Sequence, residues 1–304
     1  MEYIFTAHGL SKSYRHFKAL NGLSMNVPKG AIYGLVGKNG AGKTTLIRLI
    51  TGLQEPTQGR YCLYGTQNDE KDITRARRRI GAVVETPSIY GELTAVENIK
   101  EQYRVLGLPS FEGIDDILKL VGLENTGKKK AKNFSLGMKQ RLGIAIALCG
   151  DPDLLILDEP INGLDPQGIV EMRELILKLN QDGQITVIIS SHILDELSRL
   201  ATHYGFIDGG RMVREISAED LDAACRKCIR IEVSDMNALS LTLDEMKLEY
   251  NVVSETKADI FAQITVTELV LALAKKNCQV ISIQEKDESL ESYFMSLVGG
   301  ADNE

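Results

Sequence analysis

A lysine and a threonine that follow closely spaced glycines can hold a polyphosphate. In GLVGKNGAGKTTLIRLI, Gly37, Gly40 and Gly42 precede Lys43 and Thr44 in the pattern G-x-x-x-x-G-K-[ST], between an apolar run and an amphipathic one. Glycine lets successive backbone N–H groups curl around phosphate oxygens with no Cβ in the way, and the helix that follows points its positive end at the same place. Lys43 has the reach for the outer phosphates, and Thr44 has a hydroxyl for magnesium. Lys38, Asn39, Ala41 and Thr45 complete the stretch expected against the nucleotide.

Two further runs end in groups suited to the same chemistry. LLILDEP is an apolar strand delivering Asp158 and Glu159, the first to hold magnesium through water and the second to polarise the water that attacks the γ-phosphate. TVIISSH is another apolar strand, and its end places His192 where a γ-phosphate contact belongs.

These groups meet only if their strands lie side by side. The runs AIYGLVG, DLLILDEP and ITVIIS alternate with helical patterns at 43–51 and 166–180, the signal of a mostly parallel sheet flanked by helices, up to about Asp208. Between Ser88 and Cys149 the pattern is helical throughout, which predicts a helical insertion in the α/β core. After RMVREIS the order becomes strand, helix, strand, strand, helix, strand and a last helix over ESLESYFMSLV, which suits a small α+β, ferredoxin-like domain. In it Val266, Leu269, Val270 and Leu273 fall at helical spacing and are expected to pack on their own sheet. We therefore expect a nucleotide-binding domain over 1–215, with a helical subdomain at about 88–150, and an accessory domain over 216–304.

Composition bounds the partners. The 304 residues are 43% apolar and 25% charged with a net charge of −7, an ordinary globular balance that gives no general attraction for nucleic acid or anionic lipid. The start MEYIFTAHGL lacks an apolar core, and no stretch offers the roughly 18 uncharged apolar residues of a membrane span. The expected place is the cytoplasm. Of five cysteines only Cys225 and Cys228 form a CxxC, and without a second pair of ligands packing is the expected role. The lysines of GKKKAKN read as a solvated loop.

GKNGAGKT, SLGMKQR, LLILDEP, NGLD and SSH occur in an order that resembles the nucleotide-binding subunit of ABC transporters, over roughly Tyr3 to Arg214. The resemblance implies a P-loop fold with an N-terminal antiparallel β part, and ATP with Mg2+ as ligands. It implies that Tyr14 in SKSYRHF stacks on adenine and that Asp165 in NGLD belongs to a loop joining two subunits. Ser135 and Gly137 would then face the nucleotide of a second subunit, where a hydroxyl and helix-start N–H groups form an anion site. With one phosphate loop and one signature per chain, two copies must pair head to tail to enclose ATP.

Two departures stand out. Leu136 and Met138 replace the signature's usual glycine and glutamine, and Glu85 in VVETPSIY replaces a glutamine, keeping an oxygen for magnesium but losing the amide donor. Together these stretches resemble exporter subunits of bacitracin resistance and lantibiotic self-immunity. The reading implied is an ATP-hydrolysing exporter subunit, a homodimer that powers a separate integral-membrane permease and reaches the inner face of the cell membrane only through it. The rivals are a soluble ATPase without a permease, which usually shows paired cassettes or a long coiled coil, and a nucleotide-switched interaction module, which would lack Glu159 or His192.

Overall fold

A computed structural model describes residues 2–224, 228–261 and 264–286, with the single positions 293, 295 and 297. It divides into two compact units, Met1–Ala218 and Glu219–Glu304.

The first unit opens on a hairpin of β1 (Tyr3–Tyr14) and β2 (Phe17–Pro28). Alternation along both strands buries Phe5, Ala7, Leu10, Leu23 and Met25, and at the tip Tyr14 pairs with Phe17 across a turn in which Arg15 takes φ 49°. Next come β3 (Ile32–Val36), α1 (Lys43–Ile50), β4 (Gln58–Leu63), β5 (Thr66–Gln67), α2 (Ile73–Arg77) and β6 (Ile80–Val83). The helical insertion follows with α3 (Ala95–Leu106), α4 (Ile114–Leu120) and α5 (Leu136–Leu148). The chain then returns through β7 (Leu154–Asp158), α6 (Pro166–Gln181), β8 (Thr186–Ser191), α7 (Leu194–Ser198), β9 (His203–Asp208) and β10 (Arg211–Ser217).

Two sheets result. One is antiparallel, in the order β2-β1-β4-β5; the other has the order β10-β9-β3-β8-β7-β6 and is parallel except where β10 turns back on β9. Every residue of β3, β7 and β8 is buried, as strands covered on both faces must be. The two sheets share one core, in which Phe5, Leu10 and Met25 of the hairpin join Leu35, Leu46, Ile47 and Ile156. The insertion is started by a reciprocal cap: Glu97 N donates to Thr94 Oγ1 at 3.2 Å and Thr94 N to Glu97 Oε2 at 2.7 Å. It is held to the sheet where a Cβ on Gly143 of α5 would lie 2.7 Å from Pro87, just after β6.

The second unit contains α8 (Ala218–Ala224, entering from the first), β11 (Cys228–Val233), α9 (Met236–Glu245), β12 (Tyr250–Val252), β13 (Lys257–Ile260), α10 (Val266–Lys275) and β14 (Val280–Lys286). Its antiparallel sheet has the order β12-β13-β11-β14. The four apolar positions expected to pack on α10 split: Leu269 and Leu273 are fully buried, whereas Val266 and Val270 remain 39% and 37% exposed. Leu269 and Leu273, four residues apart, make one row along the helix that faces the sheet, and the Val266/Val270 row lies beside it. Cys225 and the helix expected over 288–298 lie outside the described residues, apart from the single positions 293, 295 and 297. Among the described residues no helix is long and apolar enough to cross a membrane.

A buried polar knot ties β10 to the core. Glu215 accepts from the hydroxyl of the fully buried Tyr33 at 2.7 Å, and from Asn26 N at 2.8 Å and Asn26 Nδ2 at 3.3 Å. Burial first, and then the charge of Glu215, pushes the Tyr33 phenol well above its ordinary pKa. Glu215→Ala leaves these donors unpaired and should cost about 1–3 kcal/mol in urea unfolding, more than Tyr33→Phe. Because the folded state resists losing the phenol proton that the unfolded chain gives up, stability should fall as pH rises past the ordinary tyrosine range, and less so in Tyr33→Phe.

Candidate functional site

Parallel pairing places Val36 of β3 beside Ser191 of β8, and Asp158 of β7 beside Ser190. The residues that follow these strands, the loop from Gly37, Glu159 and His192, therefore emerge together at the sheet's carboxyl edge, the usual place for a ligand in such a sheet.

The loop after β3 is moulded by contacts behind it. A Cβ on Gly37 would sit 2.5 Å from the Ile207 carbonyl oxygen of β9, and one on Gly42 would sit 2.7 Å from the Ala19 carbonyl oxygen of β2. Gly42 also holds φ 111° and Gly40 φ 83°, values open to glycine at little cost. Lys43 is 6% exposed, and its ammonium donates to the carbonyls of Gly37 at 2.6 Å and Lys38 at 3.3 Å, and lies 3.3 Å from Glu159 Oε1. A buried cation is thus kept paired.

Asp158, 2% exposed, is the node of the site. Its Oδ2 accepts from Thr44 Oγ1 at 2.9 Å and its Oδ1 from Ser190 Oγ at 2.6 Å, so the start of α1, β7 and β8 are joined through one carboxylate. Ser190 in turn accepts from Glu159 N, at 3.0 Å on Oγ and 3.2 Å on its carbonyl. Glu159 sits at φ 50°, a left-handed conformation costly for a residue with a Cβ, and such strain is common at functional sites. Its Oε2 is hydrogen-bonded with His192 Nδ1 at 2.8 Å, while buried Oε1 has the Lys43 ammonium at 3.3 Å and no hydrogen-bond partner.

A cleft of about 270 Å³ opens over these groups. Of the residues predicted from sequence, Lys38, Asn39, Gly40, Gly42, Lys43, Thr44, Thr45 and Glu159 line it; Gly37 and Ala41 pack behind the loop, where Ala41 O accepts from Gly210 N at 3.0 Å. The cleft suits a nucleoside triphosphate with its metal: a cradle that side chains would fill, a buried lysine, and a hydroxyl paired with a carboxylate. Sequence reasoning missed three lining residues, Phe17, Ala19 and Asn162. Only Asn162 left a signal, since it follows Glu159 in the turn EPIN and donates its N–H back to the Glu159 carbonyl at 3.1 Å.

Besides Gly37, Ala41, Asp158 and His192, five predicted residues lie outside the lining. The Tyr14 hydroxyl donates to Gln54 Oε1, and Lys12 Nζ lies 5.4 Å from the centre of its ring. Glu85, at φ 61°, pairs its carboxylate with Arg48 of α1. Ser135 is the exposed cap of α5 and accepts from Met138 N at 3.2 Å; a Cβ on Gly137 would meet nothing nearer than Leu164 at 3.7 Å. Asp165 caps α6, accepting from Gly168 N at 3.0 Å.

A glycine cradle locked to the sheet, an aspartate tied to the threonine of the loop, glutamate and histidine from neighbouring strands, and a helical insertion begun by a serine-capped helix define a P-loop nucleoside triphosphatase of the ATP-binding-cassette class. Residues 20–162 match the family described as ABC transporter. The chain is 41% identical over 303 residues to the bacitracin transport ATP-binding protein BcrA of Bacillus licheniformis, covering 99% of each. It is 47% identical over 206 residues to the lantibiotic transport ATP-binding protein SrtF of Streptococcus pyogenes, covering 68% of this chain and 87% of that one. Its structure resembles cbiO1 of Clostridium perfringens, part of an ABC transporter complex, with TM-score 0.66 at 28% identity over 73% of this chain and 92% of the other. It also resembles the dimeric cassette MJ0796 bound to ADP and phosphate after hydrolysis, with TM-score 0.64 at 26% identity over 70% and 98%. The chain belongs to the ABC transporter family: it is an ATP-binding subunit that hydrolyses ATP in support of transport.

Ser190 holds the Asp158 carboxylate and the Glu159 backbone N–H without lining the cleft. Ser190→Ala should lower ATP turnover about 10- to 100-fold, the usual cost of losing a group that orients a catalytic or metal-binding residue. Phosphate release at saturating MgATP measures it.

Proposed function

We propose that this subunit drives export of a peptide antibiotic or a similar amphipathic compound, working as a homodimer on a separate membrane permease that selects the cargo. The cargo class is supported by relatives named for bacitracin and lantibiotic transport. In this reading Glu159 takes the proton of the attacking water while His192 fixes its orientation, and Lys43 moves from its carbonyls to the outer phosphates. Thr44 and Asp158 would hold Mg2+, which neutralises charge on the phosphates when bound, and Glu85 would sense that site through Arg48 and α1.

One observation carries the dimer. Ser135 and Gly137 form a helix start that is outside their own cleft, with no contact closer than Leu164 at 3.7 Å to a Cβ on Gly137, so its N–H groups are available to the nucleotide of another copy. Asp165, at the start of α6, belongs to the same joining surface, and a cassette related in structure is dimeric. Closure with ATP and opening after hydrolysis then switch the permease between two conformations, because ATP binds the closed pair more tightly. Tyr90, Val105 and Phe111, 62%, 75% and 44% exposed on and around α3, are apolar side chains that a permease would cover. Through that contact the subunit would sit at the cytoplasmic face of the membrane.

Glu159→Gln should lower turnover on the order of 10² to 10⁴-fold, the usual worth of a general base, while ATP binding is kept. Tagged Glu159→Gln protein, recovered from detergent-solubilised membranes with MgATP, should bring down a polytopic membrane protein and a second copy of the chain. A soluble partner in place of the membrane protein would overturn the permease reading. Glu85→Ala should lower transport-coupled turnover in membranes, and unchanged ATPase and transport would remove Glu85 from the mechanism.

A further inference from the structure

A second cavity, of about 590 Å³, lies at the amino ends of β7 and β8, the edge of the sheet opposite the one from which Glu159 and His192 emerge. Its walls come from two parts of the first unit. Ile117 and Leu120 of α4 and Leu148 of α5 belong to the helical insertion, and Leu179 of α6 and Ile185 before β8 belong to the core. Leu148 and Leu179 are buried and the other three half-buried, so the space is apolar within. Apolar walls with a few polar groups around them are the usual form of a small-molecule site, and the volume is in the usual range. No residue of this cavity lines the cleft over the phosphate loop.

Charge selects the class of ligand. Two of the ionised groups that line the cavity are engaged by residues that do not: Lys29 lies 3.3 Å from Glu2, and Asp153 lies 2.5 Å from Arg79 Nε. Asp151, Asp182 and Lys178 make no ion pair among the described residues, which leaves two acids against one base. Helix ends add to the acids. α5 stops at Leu148 and α6 at Gln181, with Asp182 as its C-cap, so the partial negative charge of two helix C-termini falls beside this space. The last turn of α5 carries no basic residue, and Lys178 is the basic residue in that of α6. An acid at a helix C-terminus opposes the dipole, and a cation placed there relieves both.

We propose that this cavity binds an organic cation, an amphipathic ammonium compound whose apolar body lies on Leu148, Leu179 and Ile185 and whose charged head meets Asp151 and Asp182 at the helix ends. Such a compound bridges the helical insertion and the core from the side away from the phosphate loop. The proposal is independent of the cargo and of the permease.

Dansylcadaverine, a fluorescent probe with an apolar ring system and one primary ammonium, tests it on the full chain with MgATP at saturation to fill the other cleft. Wild-type protein should raise the probe's emission saturably and shift it to the blue. The N-acetylated probe, the same body without the charge, should bind about tenfold more weakly, the worth of a cation beside two carboxylates and two helix ends in a half-buried place. Asp151→Asn/Asp182→Asn, at two exposed positions, should lose a similar factor for the cationic probe and keep its affinity for the acetylated one. Ile117→Trp, which fills the cavity from α4, should abolish binding of both. No saturable change with the wild type, equal affinity for the two probes, or either variant binding the cationic probe as the wild type does would overturn the proposal. Tighter binding of a dansyl carboxylate of the same length would also overturn it and give the choice of charge to Lys178.

Discussion

The site depends on one buried carboxylate that must be satisfied from two sides. Asp158 is almost wholly removed from water, and a carboxylate in that position is tolerable only with donors on both oxygens. Thr44 supplies one from the first turn of α1, and Ser190 the other from β8. The same bonds therefore neutralise a local cost and fix the distance between the phosphate loop and the catalytic strands. Glu159 inherits its place from this arrangement, since its N–H is held by the oxygen atoms of Ser190.

Around that node the structure stores some energy instead of relaxing it. Glu159 keeps a left-handed backbone, which turns the chain sharply as it leaves β7. Its carboxylate is shared between Lys43 and His192, so the proposed phosphate-binding cation is coupled to the proposed general base by a direct ion pair. Phosphates that draw Lys43 away would free Glu159 from its cation while leaving His192 as its orienting partner. In the proposed mechanism, binding and readiness for hydrolysis would be linked by electrostatics over a single contact.

The signature helix shows the opposite design. Its serine caps α5 as any helix-starting serine does, and nothing within the same chain presses on Gly137. A glycine in a helix costs about 0.5–1 kcal/mol against alanine, and no internal contact accounts for it here. Close approach by the nucleotide of the proposed partner copy would account for it. Glu85 likewise commits its charge to Arg48 of α1, an ion pair for which a glutamine has no charge to offer.

The sequence by itself determined the fold class and pointed to most of the residues of the proposed nucleotide site. Gly37 to Thr45, Asp158, Glu159 and His192 were legible because phosphate chemistry demands particular residue types at fixed spacing, and because each followed an apolar run recognisable as a buried strand. The element order of the second unit was also readable from its alternation. Tertiary structure alone decided the rest. Ser190 became the organising donor only when β8 was laid beside β7 in register, and Phe17 and Ala19 reached the cleft only because the hairpin packs on Gly42. Val266 and Val270 were left in solvent by the orientation of α10 on its sheet. Local pattern records the company each residue keeps along the chain, whereas these roles come from neighbours distant in sequence, whose positions are fixed by packing.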